Sequence, residues 1–233
     1  MSINPFALPE DYPEMLPKIW SVVFVAALAA TWLIASLVPS VGEFMRATPL
    51  TIKVFDNDVA VAYLVVAIVV SAVFHMVRLH DRVSDLLDVR LRFDVDHILV
   101  PLADGVGVSA NDDFRLRLRA KRDDLMYGCF YRYASSTKAD SAVDKHLIQM
   151  ALGAWQWFWI LAEVDVLVLV CLVVAVAVWN PGWVVALALS LVASAFLFVV
   201  IWRRCARYAN REVRDILATE DRRSAIRAQL SAV

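Results

Sequence analysis

The sequence predicts an all-α membrane protein with four transmembrane helices. Of its 233 residues, 61% are hydrophobic and 20% are charged, an apolar share above that of ordinary soluble domains. The apolar residues are concentrated in four continuous windows, residues 19–38, 59–78, 155–179 and 183–202. Each window is close to the ~20 residues that a helix needs to cross a bilayer. Continuous apolar runs also favour helices over barrel strands, which alternate apolar and polar residues.

Lysine and arginine are unevenly distributed along the chain. Residues 78–154 hold twelve and the tail from residue 203 holds eight, whereas the loop at 40–57 holds two and the turn at 180–182 holds none. Because basic residues accumulate on the cytoplasmic side, we expect a bacterial inner (plasma) membrane protein with both termini in the cytoplasm. The first window follows mainly acidic residues, so we interpret it as a retained helix rather than a signal peptide.

Five segments follow from these windows. They are a Pro-rich cytoplasmic N-terminal segment (1–18), a first transmembrane pair (19–78), a charged cytoplasmic helical region (79–154), a second transmembrane hairpin (155–202) and a cytoplasmic C-terminal helix (203–233). Prolines at every fourth position (Pro5, Pro9, Pro13 and Pro17) predict an extended or turning lead-in without regular helix. The tail lacks Gly and Pro before residue 230, so the fourth span is expected to continue as one long helix.

The charged region could form either helices or strands. Residues 88–96 and 114–122 alternate apolar and charged side chains, which is typical of half-buried strands. Helical stripes fit as well: Val83, Leu87, Leu91, Val95, Ile98 and Leu102 form one, and Phe114, Leu118, Leu125, Cys129 and Tyr133 form another. We favour helices, because the first stripe continues the second span without a breaker and SAND at 109–112 is an N-cap pattern. Spans two, three and four would then extend into a cytoplasmic bundle.

Two carboxylates, Glu163 and Asp165, interrupt the third apolar window. Two residues apart on a helix, they point to nearly opposite faces. Counting the rise per residue along the spans predicts an intramembrane polar layer of His75, Arg78, Glu163, Asp165 and Arg203. Three interpretations remain open: a structural ring of ion pairs, an acid on a cation path in an oligomer, or a proton relay through His75 and Glu163.

A basic run beside aromatic residues is the best sequence candidate for a regulatory site. Its members are Arg115, Arg117, Arg119, Lys121 and Arg122, followed by Tyr131 and Arg132. Such a cluster can bind the phosphates of a nucleotide or of anionic lipid headgroups. The alternative is a solvated face paired with neighbouring aspartates. Twelve acidic residues among the twelve basic ones of residues 78–154 argue against direct nucleic-acid binding.

The sequence carries no recognisable catalytic motif. A phosphate-binding P-loop, a dinucleotide fingerprint, a zinc-protease HExxH and a nucleophile elbow are all missing from it. The four histidines are scattered and the three cysteines do not have metal-ligand spacing. We therefore expect neither enzymatic activity nor a cofactor, metal site or disulfide.

These features lead to a hypothesis about function. We expect an oligomeric inner-membrane sensor or effector in which the cytoplasmic bundle controls the spans, as an ion pore or by membrane perturbation, for example in bacterial stress or phage defence. Small residues spaced by four, such as Ala186, Ser190 and Ser194, favour a homo-oligomer, although they also suit packing within one subunit. The alternatives are an anchor or scaffold that docks a cytoplasmic protein, and a small transporter.

Overall fold

The protein is built almost entirely from helices. The computed structural model describes residues 4, 6–48, 50–54, 57–136 and 141–232. The α-helices in these ranges are α1 (Tyr12–Leu37), α2 (Pro39–Arg46), α3 (Val61–Met76), α4 (Leu79–Leu86), α5 (Val89–Phe93), α6 (Val100–Gly105), α7 (Asp112–Ala120), α8 (Arg122–Leu125), α9 (Lys145–Ala177), α10 (Pro181–Ile216) and α11 (Glu220–Ser231). There are also two π-helical segments. Asp94–Leu99 connects α5 to α6, and Met126–Tyr131 follows α8. The predicted all-α class is confirmed.

A short hairpin adds the strands β1 (Thr51–Val54) and β2 (Asn57–Ala60) between α2 and α3. The strands are antiparallel, with Thr51 opposite Ala60. Apart from Val59 and Ala60, which fall in the second apolar window, the hairpin and α2 occupy residues for which the sequence predicts only a loop. Pro39 starts α2 at the helix position that tolerates proline best, because the N–H missing from its ring has no partner within the helix there.

Among the described residues, three helices are long and apolar enough to span a membrane, namely α1, α9 and α10. A fourth span is added if α3 and α4 are counted together, and these two helices are bent by 52° at their junction. Three candidate spans, or four with the bent pair, are compatible with a membrane-spanning protein.

The break between α3 and α4 corrects the expectation that the second span continues into the charged region. Helix α3 ends at Met76, and Arg78 adopts a left-handed backbone conformation with φ of 47°. Asp88 repeats this conformation (φ of 52°) between α4 and α5. Non-glycine residues seldom adopt positive φ, and neither Arg78 nor Asp88 is a glycine or a proline. The sequence therefore gives no signal that the helix breaks at these two positions.

The N-terminal segment is also helical from Tyr12 onward, which contradicts the predicted absence of regular helix up to residue 18. Pro13 lies in the first turn, where helical N–H groups lack partners, and Pro17 costs a single hydrogen bond inside α1. Pro9 precedes the helix, and Pro5 lies outside the described residues. The sequence also predicts that a helix leading into the third span begins near Asp140, which lies outside the described residues, and the described helix α9 begins at Lys145.

The described chain divides into two compact units. Unit 1 comprises Met1–Phe6, Leu16–His80 and Gln156–Val200, and unit 2 comprises Ala7–Met15, Asp81–Trp155 and Ile201–Val233. In unit 1, Ala27 of α1 is buried with Ala67 of α3 and Leu167 of α9. A second cluster joins α1, α9 and α10 and consists of Leu33, Leu37, Cys171, Ala175 and Leu187. Small residues at these contacts let helices approach closely, which is how apolar helices associate in lipid.

Unit 2 has a hydrophobic core of its own. Its most deeply buried side chains are Phe93, Val95, Leu99, Leu102, Leu118, Met126, Ile216, Ile226 and Leu230. Residues 88–122 are helical apart from turns at Asp88 and Lys121 and a loop at 106–111, so the helical interpretation of this region is confirmed. Asn111 caps α7 by accepting a hydrogen bond from the Phe114 amide at 2.8 Å, as the SAND pattern predicts.

The two predicted apolar stripes differ in how far they are buried. Phe114, Leu118, Leu125 and Cys129 are all buried in the core of unit 2, so the second stripe is confirmed. The first stripe is buried only from Val95 onward, and Leu87 is 57% exposed because the chain breaks beside it.

The C-terminal tail contains two helices instead of the single one predicted. Helix α10 ends at Ile216 and α11 begins at Glu220. Arg222 donates to the carbonyl oxygens of Asp215 and Ile216, and Arg223 donates to that of Leu217, over 2.6–3.0 Å. Basic side chains can satisfy the free carbonyls at a helix C-terminus, so the chain turns here without glycine or proline.

Leu118→Ala is expected to destabilise unit 2, because the Leu118 side chain is 0% exposed in its core. Removing a buried leucine side chain typically costs about 2–5 kcal/mol. Leu116→Ala is the matched control, two residues away on α7 and 63% exposed, with an expected cost of about 0.5 kcal/mol or less. Hydrogen exchange of α7 amides in the full chain in detergent measures both, and equal losses would contradict the assigned core.

Candidate functional site

The clearest polar site in unit 1 is a buried pair of His80 and Glu163. Nδ1 of His80 and Oε1 of Glu163 are 3.1 Å apart, and the two side chains are 6% and 4% exposed. The Trp159 ring lies beside the imidazole, with centroids 6.1 Å apart. An unsatisfied carboxylate among apolar helices is costly, so this hydrogen bond stabilises the buried position of Glu163.

The turn at Arg78 determines which side chains reach this pair. His75 is near the end of α3 and His80 is the second residue of α4. On one continuous helix, residues five apart would differ in direction by about 140°. Because the helix breaks between them, both histidines line the same small cavity.

This cavity has a volume of about 10 Å³, which is close to the room that one water molecule requires. His75, His80 and Glu163 form its polar wall, and Leu16, Ile19 and Trp20 of α1 form its apolar wall. A water held there would meet two imidazoles and a carboxylate opposite the apolar side chains of α1.

Asp165 is held separately. The Ser194 hydroxyl of α10 donates a hydrogen bond to its Oδ2 at 2.6 Å. Glu163 and Asp165 thus have partners on different helices, which agrees with the opposite directions predicted from their spacing.

Of the predicted polar layer, the structure brings His75 and Glu163 together. Arg78 is exposed in the turn between α3 and α4, and Arg203 is exposed in unit 2. Whether these residues form a layer stays a prediction. Sequence reasoning does not single out His80 as the partner of Glu163, because that pairing depends on a break that no sequence signal marks.

The predicted basic run is divided between different environments in unit 2. Arg115 lies 3.4 Å from Asp96, Arg117 stacks over the Phe114 ring, and Arg132 stacks over its neighbour Tyr133. These exposed contacts are of the kind that contribute little to stability.

Arg122 is the exception, because it forms a largely buried ion pair with Asp94. Its Nε donates to Oδ2 of Asp94 at 2.7 Å, and its Nη2 contacts the same oxygen. Burial raises the pKa of Asp94, although the Arg122 guanidinium acts in the opposite direction. The pair fixes α8 against the π-helical segment Asp94–Leu99.

A polar cavity of about 500 Å³ opens in unit 2 beside this ion pair. Its charged lining consists of Arg90, Arg119, Lys121 and Arg122 together with Asp85, Asp88, Asp123 and Asp124. Three residues of the predicted anion site therefore line it, whereas Arg115, Arg117, Tyr131 and Arg132 do not. Its volume falls within the range of about 300–1,000 Å³ that small-molecule sites occupy.

Among the described residues, no group of three His, Cys, Asp or Glu side chains could hold a metal ion. Cys129, Cys171 and Cys205 are buried and unbridged, and burial raises the pKa of the Cys129 thiol to about 11, which makes it unreactive.

Glu212 of α10 is a further buried acid that the sequence does not highlight. It lies in unit 2, ten residues beyond the last apolar window, and is 6% exposed. Burial, assisted by the nearby Asp215 carboxylate, raises the pKa of Glu212 from 4.5 to about 8. This carboxyl is therefore expected to be mostly protonated at neutral pH.

The chain belongs to the YmfE protein family, which it matches over residues 11–230. No curated protein and no solved structure matches the sequence. Family membership here assigns no activity, so function rests on the geometry described above.

Glu212→Gln is expected to alter how stability depends on pH. Between pH 4.5 and about 8 the unfolded chain releases this proton while the folded chain keeps it, so stability falls as pH rises. This loss amounts to at most about 1.4 kcal/mol per pH unit and is complete above the folded pKa. In thermal unfolding across this range, the stability of the variant relative to the parent should increase as pH rises. The exposed Glu220→Gln is the control for losing one carboxylate, and parallel curves for parent and Glu212→Gln would contradict the assignment.

Proposed function

We propose that this member of the YmfE protein family is an oligomeric sensor or effector of the bacterial inner membrane. Unit 2 lies on the cytoplasmic side with both termini and receives a signal there. The apolar helices of unit 1 respond by opening an ion path or by disturbing the bilayer. A role in bacterial stress or phage defence fits such a protein.

The observation that carries this proposal is the length of α9 and α10. They contain 33 and 36 residues, whereas about 20 are enough to cross the hydrocarbon core. Each supplies residues to both units: α9 contributes 145–155 to unit 2 and 156–177 to unit 1, and α10 contributes 181–200 to unit 1 and 201–216 to unit 2. Since both are unbroken, a rotation or tilt imposed on their segments in unit 2 reaches their apolar segments.

The buried carboxylates favour a responding membrane unit over a passive anchor. An acid at a helix centre costs about 2.5–3.5 kcal/mol to insert, and an anchor for a cytoplasmic protein needs none. Glu163 and Asp165 are nevertheless present and individually bonded, to His80 and Ser194. Polar groups at such a cost are usually retained for a function in the membrane.

The polar cavity of unit 2 supports a nucleotide as the signal. Arg119 and Lys121 provide cations for phosphate groups, and Asp85 and Asp88 can accept hydrogen bonds from base amino groups and sugar hydroxyls. An anionic lipid headgroup would satisfy the cations but would leave the carboxylates unused. A soluble nucleotide therefore fits better a cavity that is lined by both cationic and anionic side chains.

The exposure of α10 supports assembly of several copies. Only 11% of its apolar window is buried, compared with 33% for α1 and 28% for α9. Three or four spans from one chain rarely enclose a pore, so a path for ions would need further copies of the subunit. We therefore include a homo-oligomer in the proposal, with the exposed face of α10 as the contact surface between copies.

Arg119→Ala is expected to weaken ATP binding by about ten- to a hundredfold, the effect of removing one hydrogen bond to a charged group. Isothermal titration of the full chain in detergent micelles measures the affinity. The control is Arg117→Ala, on the same helix but outside the cavity, and it should bind ATP like the parent. No binding to the parent, or equal loss in both variants, would contradict the nucleotide proposal.

Cation flux through liposomes that contain the purified protein tests the membrane response. We expect the parent to conduct, and Asp165→Asn to reduce flux by about tenfold, the factor that corresponds to 1.4 kcal/mol of lost stabilisation. Native mass spectrometry on the same samples should show one subunit number for both proteins. A parent that carries no ions while binding a cytoplasmic protein tightly would favour the anchor alternative instead.

A further inference from the structure

We infer that His75, His80 and Glu163 form a proton-binding site within unit 1, with His75 as its point of entry. This activity goes beyond the proposed ligand response, and it does not depend on the cavity of unit 2. It rests on the shared cavity, the hydrogen-bonded pair and the difference in exposure between the two histidines.

The geometry gives each group a distinct part. His80 and Glu163 are buried and 3.1 Å apart, so they share one hydrogen bond within reach of a proton transfer. His75 is exposed and lines the same cavity of about 10 Å³. One water molecule in that cavity would complete a path from the exposed imidazole to the buried pair.

The charges balance for one added proton. When His80 is neutral and donates its Nδ1 proton to the Glu163 carboxylate, the pair carries one negative charge. A proton that arrives at His75 passes through the water to the pair, and His75 is left neutral again. The pair then has no net charge, either as an imidazolium with a carboxylate or as an imidazole with a carboxylic acid.

Charged groups flank the site on the helices that pack around it. On α1, Lys18 is buried and lies in the sequence between Leu16 and Ile19 of the cavity wall. On α4, Asp81 and Arg82 follow His80 directly. On α9, Asp165 is bonded to Ser194 of α10. Arg78, in the turn after α3, is exposed.

Two measurements on the full chain in liposomes test this site. The first is the infrared carboxyl stretch recorded as the pH is changed. Glu212 is expected to contribute a pH-dependent carboxylic-acid band of its own, so the readout is the difference between variant and parent. The parent and Asp165→Asn should share a pH-dependent component that is absent from Glu163→Gln and shifted in His80→Gln, because the hydrogen bond to Glu163 changes. Identical pH-difference spectra for the parent and Glu163→Gln would overturn the proposal.

The second measurement is proton influx after an acid pulse, followed with an entrapped pH dye. His75→Gln changes an exposed side chain, so it should fold normally, keep the Glu163 band and slow influx by about tenfold or more, as expected for loss of a proton-transfer group. His146→Gln, an exposed histidine of unit 2, should leave influx unchanged. Influx that is equal in the parent, His75→Gln and His80→Gln would show that the pair is only a structural hydrogen bond.

Discussion

The buried carboxylate of Glu163 sets the constraint on which unit 1 depends. Lipid offers no hydrogen bonds, so an acid among apolar helices needs a partner from the protein itself. His80 provides it at 3.1 Å, and it can do so because Arg78 adopts φ of 47° and ends the helical path of α3. The same turn brings His75 to the cavity. A single left-handed residue thus allows the buried acid to be satisfied and places a second histidine beside the pair.

Much of the helical structure could be predicted because it follows from local patterns. Apolar runs of about 20 residues identify α1, α9 and α10, and the spacing of Phe114, Leu118 and Leu125 correctly predicts the face that α7 and α8 bury. The Asn111 cap could also be predicted, since its side chain bonds an amide only three residues away. In each case the interacting groups are neighbours in sequence or repeat along one element.

The features that were missed depend on groups distant in sequence or on unusual backbone. Nothing near Arg78 or Asp88 marks a left-handed residue, so the second span was wrongly extended. The end of α10 is stabilised by Arg222 and Arg223, which belong to the following helix. The pairing of His80 with Glu163 joins residues 83 positions apart. Such contacts can be recognised only once the fold is known. The sequence therefore predicts His75 and Glu163 of the candidate site but not His80.

We propose that a signal in unit 2 changes the arrangement of the membrane helices. The most direct test is the distance between spin labels at Val25 of α1 and Leu189 of α10, two exposed positions of unit 1, measured with and without ATP. The native cysteines are buried, so labels should react at the introduced sites. We expect ATP to shift the distance distribution in the parent but not in Arg119→Ala. An unchanged distribution in a parent that has bound ATP would contradict the claim.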